Sequence, residues 1–463
     1  MLGRTPKPTA KALWVWVALL AAALILASPA GPAEAGNVKP PSGTISLEQC
    51  IGMALAYSPN LTAAKEDLEG AKSKEKEAFT YFLPTLKTSY AFQKTQDPTV
   101  IHTPIGDVTA NWDRRYQWST SVNQPVFTGF RLTSQYRLAE LGVDIAEVNV
   151  ELARLDLVLN VKETYLEYLR AQKAFKVAQQ AVVQLQSHLK VSQDFYDVGI
   201  IPINDVLKTK VELANAQQNE VAAQNSVELA RSRLATLLGL PVETSLEVED
   251  ILRYRPIAIE FAPARDQARN QRPELKALGL QLKQAEYGIQ QARSGYYPEL
   301  GVSAGYDYTS DSPDMQDSYY YDHSGWLVGA QLSWTFWEWG RTRDQVNQRR
   351  ADLRKLVALR QDLEDQVDLQ VKQAILYLVD SAKNIVTART SIEQAKENYR
   401  ITMERYKEQL TTNTELLDAQ TLLTQAQNNY FTALTVYNVA EARLWRAMGR
   451  ERPLPQQTKP KAG

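Results

Sequence analysis

Cysteine and histidine are scarce in this chain of 463 residues, long apolar runs are confined to its start, and glycine and proline vanish over two long stretches. Cys50 is the single cysteine, which excludes an internal disulfide framework, and its setting in Leu47-Glu48-Gln49-Cys50 reads as a packed thiol on an amphipathic stretch. His102, His188 and His323 are scattered without ligand spacing, and neither a nucleophile elbow nor a phosphate loop occurs, so no catalytic, cofactor or metal site is expected. After Ala35 no apolar run approaches the length of a helical membrane span, about 20 residues, so any part that crosses a membrane must be β. A formal charge of −1, made more acidic by two units if residues 1–35 are removed, gives no support for nucleic-acid binding.

The one long apolar run, Ala12 to Ala27, follows Arg4, Lys7 and Lys11 and precedes Ala33-Glu34-Ala35. Charged, greasy, then small is the order of a secretory signal, and residues 1–35 are expected to be a signal peptide cleaved after Ala35. A membrane anchor is the competing reading, but the run is short for a span.

The sequence repeats itself. Ser58-Pro59-Asn60-Leu61 falls on Arg272-Pro273-Glu274-Leu275 at an offset of 214, and the same offset superposes Ala78 on Ala292, Pro84 on Pro298 and Leu86 on Leu300. Further along the offset is 210, with Tyr196 on Tyr406, Leu207 on Leu417, Leu234 on Leu444 and Gly239 on Gly449. The expected organisation is a first repeat over 36–240, a connector over 241–264, a second repeat over 265–450 and a disordered tail over 451–463.

Within each repeat the hydrophobic period changes from 3.6 to 2 and back. Leu61, Ala64, Leu68 and Ala71 mark a helix face, and Pro84 ends that helix because a residue before proline is pushed out of the α region. Strands are expected at about 85–94, 112–124, 299–309 and 326–336. Each alternates an apolar, aromatic-rich face, such as Leu86, Tyr90 and Phe92 or Trp326, Val328, Trp334 and Phe336, with a polar one. That pattern fits a membrane β-barrel with a polar lumen, and it also fits a soluble antiparallel sheet packed on a helix. The intervening segments Gln96 to Asn111 and Ser310 to Gly325, rich in Asp, Pro, Ser and Tyr, read as long exterior loops, and Tyr319-Tyr320-Tyr321 as either an interfacial girdle or loop packing.

From Val143 to Val198 and from Arg341 to Met448 there is neither glycine nor proline. Long helices are expected at about 131–197, 204–238, 341–409 and 414–448, the longer ones about 100 Å tall at roughly 1.5 Å per residue. Turns fall at Gly199-Ile200-Ile201-Pro202 and at Leu410-Thr411-Thr412-Asn413-Thr414, with Asn204 or Asn413 a plausible cap. Leu416, Ala419, Leu423, Ala426, Tyr430, Ala433, Tyr437, Ala440 and Leu444 recur at steps of 3 and 4, the seam of a helix wound on a partner. Val206, Thr209, Leu213 and Ala216 begin the matching seam of the first repeat. Four strands cannot close a barrel, and in lipid an open edge leaves peptide groups unpaired at several kcal/mol each, so copies must pool their strands. Three or more would leave a passage.

Several segments now read together as a family pattern. Ile45-Ser46-Leu47-Glu48-x-Cys50-Ile51-x-x-Ala54-Leu55 with Ser58-Pro59, the passages Phe127-Thr128-Gly129 and Phe336-Trp337-Glu338-Trp339-Gly340-Arg341, and the turns at Tyr196-x-x-Gly199 and Tyr406 resemble the TolC-type outer-membrane efflux proteins. The resemblance runs from about 44 to 450. It implies an α+β membrane protein built from a duplicated helix, β-hairpin and long helical hairpin unit. In the implied homotrimer a 12-stranded outer-membrane β-barrel continues into a periplasmic α-helical barrel. The implied partners are outer-membrane lipid, a periplasmic adaptor (membrane fusion) protein and an inner-membrane pump of RND, ABC or MFS type, in drug efflux or type I secretion. No cofactor is implied.

The resemblance also assigns residues. Asp205 and Tyr406 match an inter-helix tie of a closed periplasmic gate, Glu415 and Asp418 match acidic rings at its entrance, and Val198, Gly199, Ile200 and Leu410 match adaptor-docking turns. Thr411 stands where the family pattern expects arginine and Gln409 where it expects glycine, so one tie of the gate is expected to be missing or rebuilt. The alternative from another class is a periplasmic coiled-coil scaffold or adaptor with a soluble β domain, which would need no detergent.

Overall fold

The computed structural model describes residues 43–96, 99–111, 114–315 and 323–451. The expected signal peptide, the tail beyond Glu451, Trp112, Asp113 and Tyr319-Tyr320-Tyr321 lie outside the described residues. The described residues divide into two compact units, one containing residues within 71–142 and 283–354, the other residues 43–70, 143–282 and 355–451.

The first unit is organised by a four-stranded antiparallel sheet. Its strands are β2 (Thr85–Lys94), β5 (Arg114–Thr128), β7 (Glu299–Ser310) and β8 (His323–Ser333), in the order β2-β5-β7-β8. Because side chains alternate with period 2, the register decides which residues share a face. Leu86, Val122, Ala304 and Val328 lie in one cross-strand row, and Thr88, Thr120, Tyr306 and Trp326 in the next. The opposite face carries Lys87, Ser121 and Gly305 in one row and Ser89, Ser119, Asp307 and Gly325 in another, with Leu327 its apolar exception. The apolar alternates of all four strands are thus collected on one face. That face is uncovered: Leu86 is 76% and Trp326 78% exposed.

Three strand expectations are corrected. The segment read as an exterior loop contains a hairpin of β3 (Thr99–Thr103) and β4 (Gly106–Asn111), since a β-branched run is followed by Pro104-Ile105-Gly106, where Gly106 holds φ +127°. Strand β5 continues past Pro125 to Thr128, with a shift of register between Pro125 and Phe127 that lets the proline sit at an irregularity in the ladder. Strand β8 stops at Ser333, so Trp334 and Phe336 are not strand residues; the Trp334 indole N–H donates to the Tyr296 carbonyl at 3.2 Å.

Both strand-to-helix passages turn through two consecutive left-handed residues, Gly129 and Phe130 in the first repeat, Trp339 and Gly340 in the second. At Gly129 a Cβ would come within 2.6 Å of the Ser294 carbonyl oxygen and 2.9 Å of Tyr297 Cβ. Only glycine fits there.

The second unit is helical. It holds β1 (Thr44–Ile45), α1 (Leu47–Tyr57), β6 (Glu247–Val248) and α5 (Phe261–Gln271), with parts of α2 (Pro59–Thr80), α3 (Arg131–Asp197), α6 (Pro273–Arg293) and α7 (Arg341–Lys407), and all of α4 (Ile203–Leu237) and α8 (Asn413–Ala447). Ser46 and Gln49 form a reciprocal capping box that starts α1. The connector is less irregular than expected: β6 pairs in parallel with β1, and α5 starts at Phe261, carrying Pro263 in its first turn where a missing N–H is harmless.

Two cores follow the duplication. In the first, Ile45, Cys50 and Ala54 pack with Val161, Tyr165, Leu169, Leu234 and Leu238; in the second, Ala264 and Ala268 pack with Val367, Val371, Leu434, Tyr437 and Leu444. Burial pushes the Cys50 thiol up to about 11, so it stays protonated and packs as a small apolar side chain. Buried tyrosines reach the irregular segments: Tyr165 donates toward the carbonyls of Ile45 (3.2 Å) and Glu249 (2.7 Å), and Tyr437 donates to that of Arg255 (2.6 Å).

Leu444 is fully buried. Leu444→Ala should destabilise the second core by about 2–5 kcal/mol, the range for truncating a buried leucine. Denaturant unfolding of the solubilised protein followed by circular dichroism would test this, and a change below about 0.5 kcal/mol would contradict the assigned core.

Candidate gate at the inter-helix turns

Each long helix ends in the same backbone motif. After α3, the N–H groups of Gly199 and Ile200 bond the carbonyls of Tyr196 and Phe195, both at 2.8 Å; after α4, those of Gly239 and Leu240 bond Thr236 and Ala235. After α7, Gln409 and Leu410 bond Tyr406 (3.0 Å) and Arg405 (2.8 Å), and after α8, Gly449 and Arg450 bond Arg446 and Trp445. This paired pattern is the Schellman closure, which needs a left-handed residue just past the helix. Glycine supplies it three times, at φ +79°, +76° and +78°; Gln409 adopts φ +58° in the fourth. The turn geometry is therefore kept at 409 although the residue type that favours it is absent.

The cap expectation is corrected. Helix α4 follows Pro202, which has no side-chain cap, and α8 is capped by Thr412, whose hydroxyl accepts from the Glu415 N–H at 3.2 Å. Asn204 is exposed, and Asn413 is the first residue of α8, buried with its side chain turned across the bundle.

That side chain is the centre of a polar cluster joining all four long helices. Asn413 Nδ2 donates to the Asp205 carbonyl at 2.9 Å, which fixes the amide so that Oδ1 faces His188 Nε2 at 2.6 Å. The Thr209 hydroxyl stands 3.2 Å from the same Oδ1 and 3.0 Å from the Asp205 carbonyl. Tyr406 lies edge-on to the His188 ring with centroids 4.9 Å apart, and its hydroxyl shares a 3.1 Å hydrogen bond with Ser192. His188, Ser192, Thr209, Tyr406 and Asn413 are all buried. Burial drives the His188 pKa below its ordinary value, with the Asn413 bond opposing, and raises that of the Tyr406 phenol, so both stay neutral near pH 7.

Among the site residues read from the sequence, Tyr406 sits in this cluster, but its hydroxyl bonds Ser192 rather than the Asp205 carboxylate; Asp205 enters through its backbone carbonyl. Glu415 and Asp418 are exposed on the first turns of α8, and the Thr411 hydroxyl bonds the Glu415 carboxylate. Val198 and Leu410 protrude, 70% and 66% exposed, and Ile200 is also exposed beside Gly199. His188, Ser192 and Asn413 are members that sequence reasoning missed. A signal was present: His188 and Ser192 are i,i+4 on one helix face, and Thr209 is a polar residue in an apolar seam.

The architecture and its duplicated turns can now be set against known proteins. A family model described as outer membrane efflux protein matches residues 50–240 and again 264–450. The chain belongs to that family. The alkaline protease secretion protein AprF of Pseudomonas aeruginosa is 25% identical over 399 residues, covering 85% of this chain and 82% of AprF. The outer membrane protein TolC of Salmonella enteritidis is 24% identical, covering 83% and 79%. Among solved structures, the outer membrane protein VceC of Vibrio cholerae superposes with a TM-score of 0.74 at 17% identity, over 88% of this chain and 96% of VceC. The CmeC outer membrane channel of Campylobacter jejuni gives 0.76 at 17%, over 87% and 85%. The fold is that of the outer-membrane efflux channels, whose members are channels rather than enzymes. As an outer membrane efflux protein, the chain is a passive exit duct of an efflux or type I secretion system.

The two α-helical closures make a paired test. Gly199→Gln should cost about 1–2 kcal/mol, the price of a left-handed residue with a side chain, whereas Gln409→Gly should be neutral or stabilising by up to about 1 kcal/mol. Thermal unfolding of the two variants in the same detergent would decide, and equal shifts of the same sign would refute the assignment.

Proposed function

We propose that three copies of this chain join around an axis into a 12-stranded outer-membrane barrel continued by their long helices as a periplasmic tunnel. The observation that carries this reading is the sheet of the first unit. Its apolar face is uncovered, and among the described residues neither β2 nor β8 has a partner on its outer side. In hydrocarbon each unpaired peptide group costs several kcal/mol, so two bare edges demand neighbours. Pairing β8 of one copy with β2 of the next uses both edges at once, and closure at three gives a wall wide enough to leave a passage. The exposed apolar residues Val357, Leu369, Leu376, Tyr377 and Val386 of α7 offer contacts for neighbouring helices in the helical wall.

The partners follow from the relatives and the turns. AprF is named for the secretion of alkaline protease, and TtgF of Pseudomonas putida for a toluene efflux pump. For this chain the proposal is a periplasmic adaptor protein seated on the protruding Val198, Gly199, Ile200 and Leu410, and an inner-membrane pump beyond it. Asp205 and Tyr406 then belong to the gate at the tunnel mouth. Threefold repetition turns Glu415 and Asp418 into rings of carboxylates there, which attract cations and repel anions.

The detergent-solubilised protein should scatter light as three copies; a single copy that stays in solution without detergent would sink the trimeric duct. In planar bilayers under a salt gradient, Glu415→Gln combined with Asp418→Asn should reduce cation preference about two-fold or more and move the reversal potential toward zero. Unchanged selectivity would take those carboxylates out of the entrance.

A further inference from the structure

We infer that His188 is a positioning residue of the gate: its neutral imidazole, tied to Asn413, latches the α7–α8 turn onto the α3–α4 turn, and its protonation releases the latch. The inference deepens the gate reading above and rests on it.

The proton inventory of the cluster carries the argument. Asn413 Nδ2 is committed to the Asp205 carbonyl, so Oδ1 can only accept and His188 Nε2 must carry the proton of their 2.6 Å bond. In the neutral ring Nδ1 is then a lone-pair nitrogen, and it is buried without a hydrogen-bond partner. A proton added at Nδ1 would create a charged donor with no acceptor, in a ring only 2% exposed and flanked by the Tyr406 ring. The packed state therefore holds the neutral form and rejects the cation.

Among the described residues no neighbouring charge offsets this. From α7 the titratable group facing the ring is Tyr406, and from α4 it is Asp205, which is turned into the cluster through its carbonyl. On α8 the nearest acid along the chain, Glu415, is engaged with Thr411 and exposed, while Lys190 and Asp194 of α3 itself are exposed to solvent. Burial and the Asn413 bond are the two influences on His188.

The repeat adds a second, independent observation. The offset of 210 sets His188 on Asn398 and Asn413 on Ile203, and both of these counterparts are exposed. Among the described residues the tie is built on the side where α8 meets α3 and α4, and its duplicate position lacks it. Gln409 leaves the second turn without the glycine that Gly199 supplies in the first, and the His188–Asn413 tie crosses from that same turn.

The sign follows from which state protonates. When the latch is released the imidazole is hydrated and titrates near its ordinary value of about 6.5. In the packed state its pKa is lower. Above that ordinary value both states are neutral and the latch is at full strength. As pH falls below it, only the released state gains a proton, so the released fraction rises by up to about tenfold per pH unit for each His188.

The test uses the full-length channel in planar bilayers, with the periplasmic side moved from pH 7.5 to pH 5.5. The wild type should show a larger open fraction at pH 5.5. His188→Gln, which keeps a donor for Asn413 Oδ1 but cannot titrate in this range, should stay as closed at pH 5.5 as at pH 7.5. His188→Ala and Asn413→Ala should be more open than wild type at both pH values. Acid opening of the same size in His188→Gln as in wild type would overturn the inference, and so would wild-type closure in both alanine variants. If the wild-type protein forms no channels at all, the duct reading fails instead. Heat resistance of the detergent-solubilised oligomer shows whether the alanine variants remain assembled; if they do not, His188→Gln alone decides.

Discussion

Every end and edge of this protein is governed by the need to pair backbone polar groups. The four long helices each finish with the same two N–H to carbonyl closures, and among the described residues the sheet leaves its two outer strands with a row of unpaired groups. In an aqueous sheet such edges are a hazard that charge or cover suppresses. In an outer-membrane protein they become a requirement, because hydrocarbon offers nothing to pair with. In the proposed trimer, assembly and membrane residence would both follow from that one unpaired ladder.

Much of this could be read from the residues because the two strongest signals are physical. A stretch poor in glycine and proline favours long helices, and α3 runs from Arg131 to Asp197 and α7 from Arg341 to Lys407, where a left-handed Gln409 ends the helix without either residue. The seam Leu416, Ala419, Leu423, Ala426 is buried throughout, as a step of 3 and 4 demands. What stayed hidden was set by pairing across the chain. The hairpin β3–β4 lies within a segment rich in turn-forming residues, and its strands of five and six residues carry too little alternation to stand out. Asn413 reads locally as a cap; its actual role comes from His188, Asp205 and Thr209, each more than two hundred positions away. No local pattern contains that information.

The buried cluster at the turns differs in kind from the apolar cores around Leu234 and Leu444. A core tolerates exchange of one apolar side chain for another of similar volume. The cluster does not, since the Asn413 amide is oriented by one carbonyl and so dictates the tautomer of His188. Low-dielectric surroundings strengthen each bond and make any mismatch expensive. Such a site has two well-separated energies, matched and mismatched, and that is the property a gate needs and a core lacks.

Duplication then explains where the halves were free to diverge. Both strand-to-helix passages require two left-handed residues in succession, yet each repeat keeps a single glycine, Gly129 in one and Gly340 in the other, and places an aromatic at the remaining position, Phe130 or Trp339. The same holds at the long turns, where Gly199 has Gln409 as its counterpart. A left-handed non-glycine residue costs about 1–2 kcal/mol, which packing around the rest of the turn can offset locally. Phe130 meets Phe127 and Tyr297 edge to face, with centroids 5.5 and 5.7 Å apart, while Tyr406, beside Gln409, is held by His188, Phe195 and Ser192. The backbone path is what the repeats conserve between them; the residue that secures it is chosen by what lies within reach.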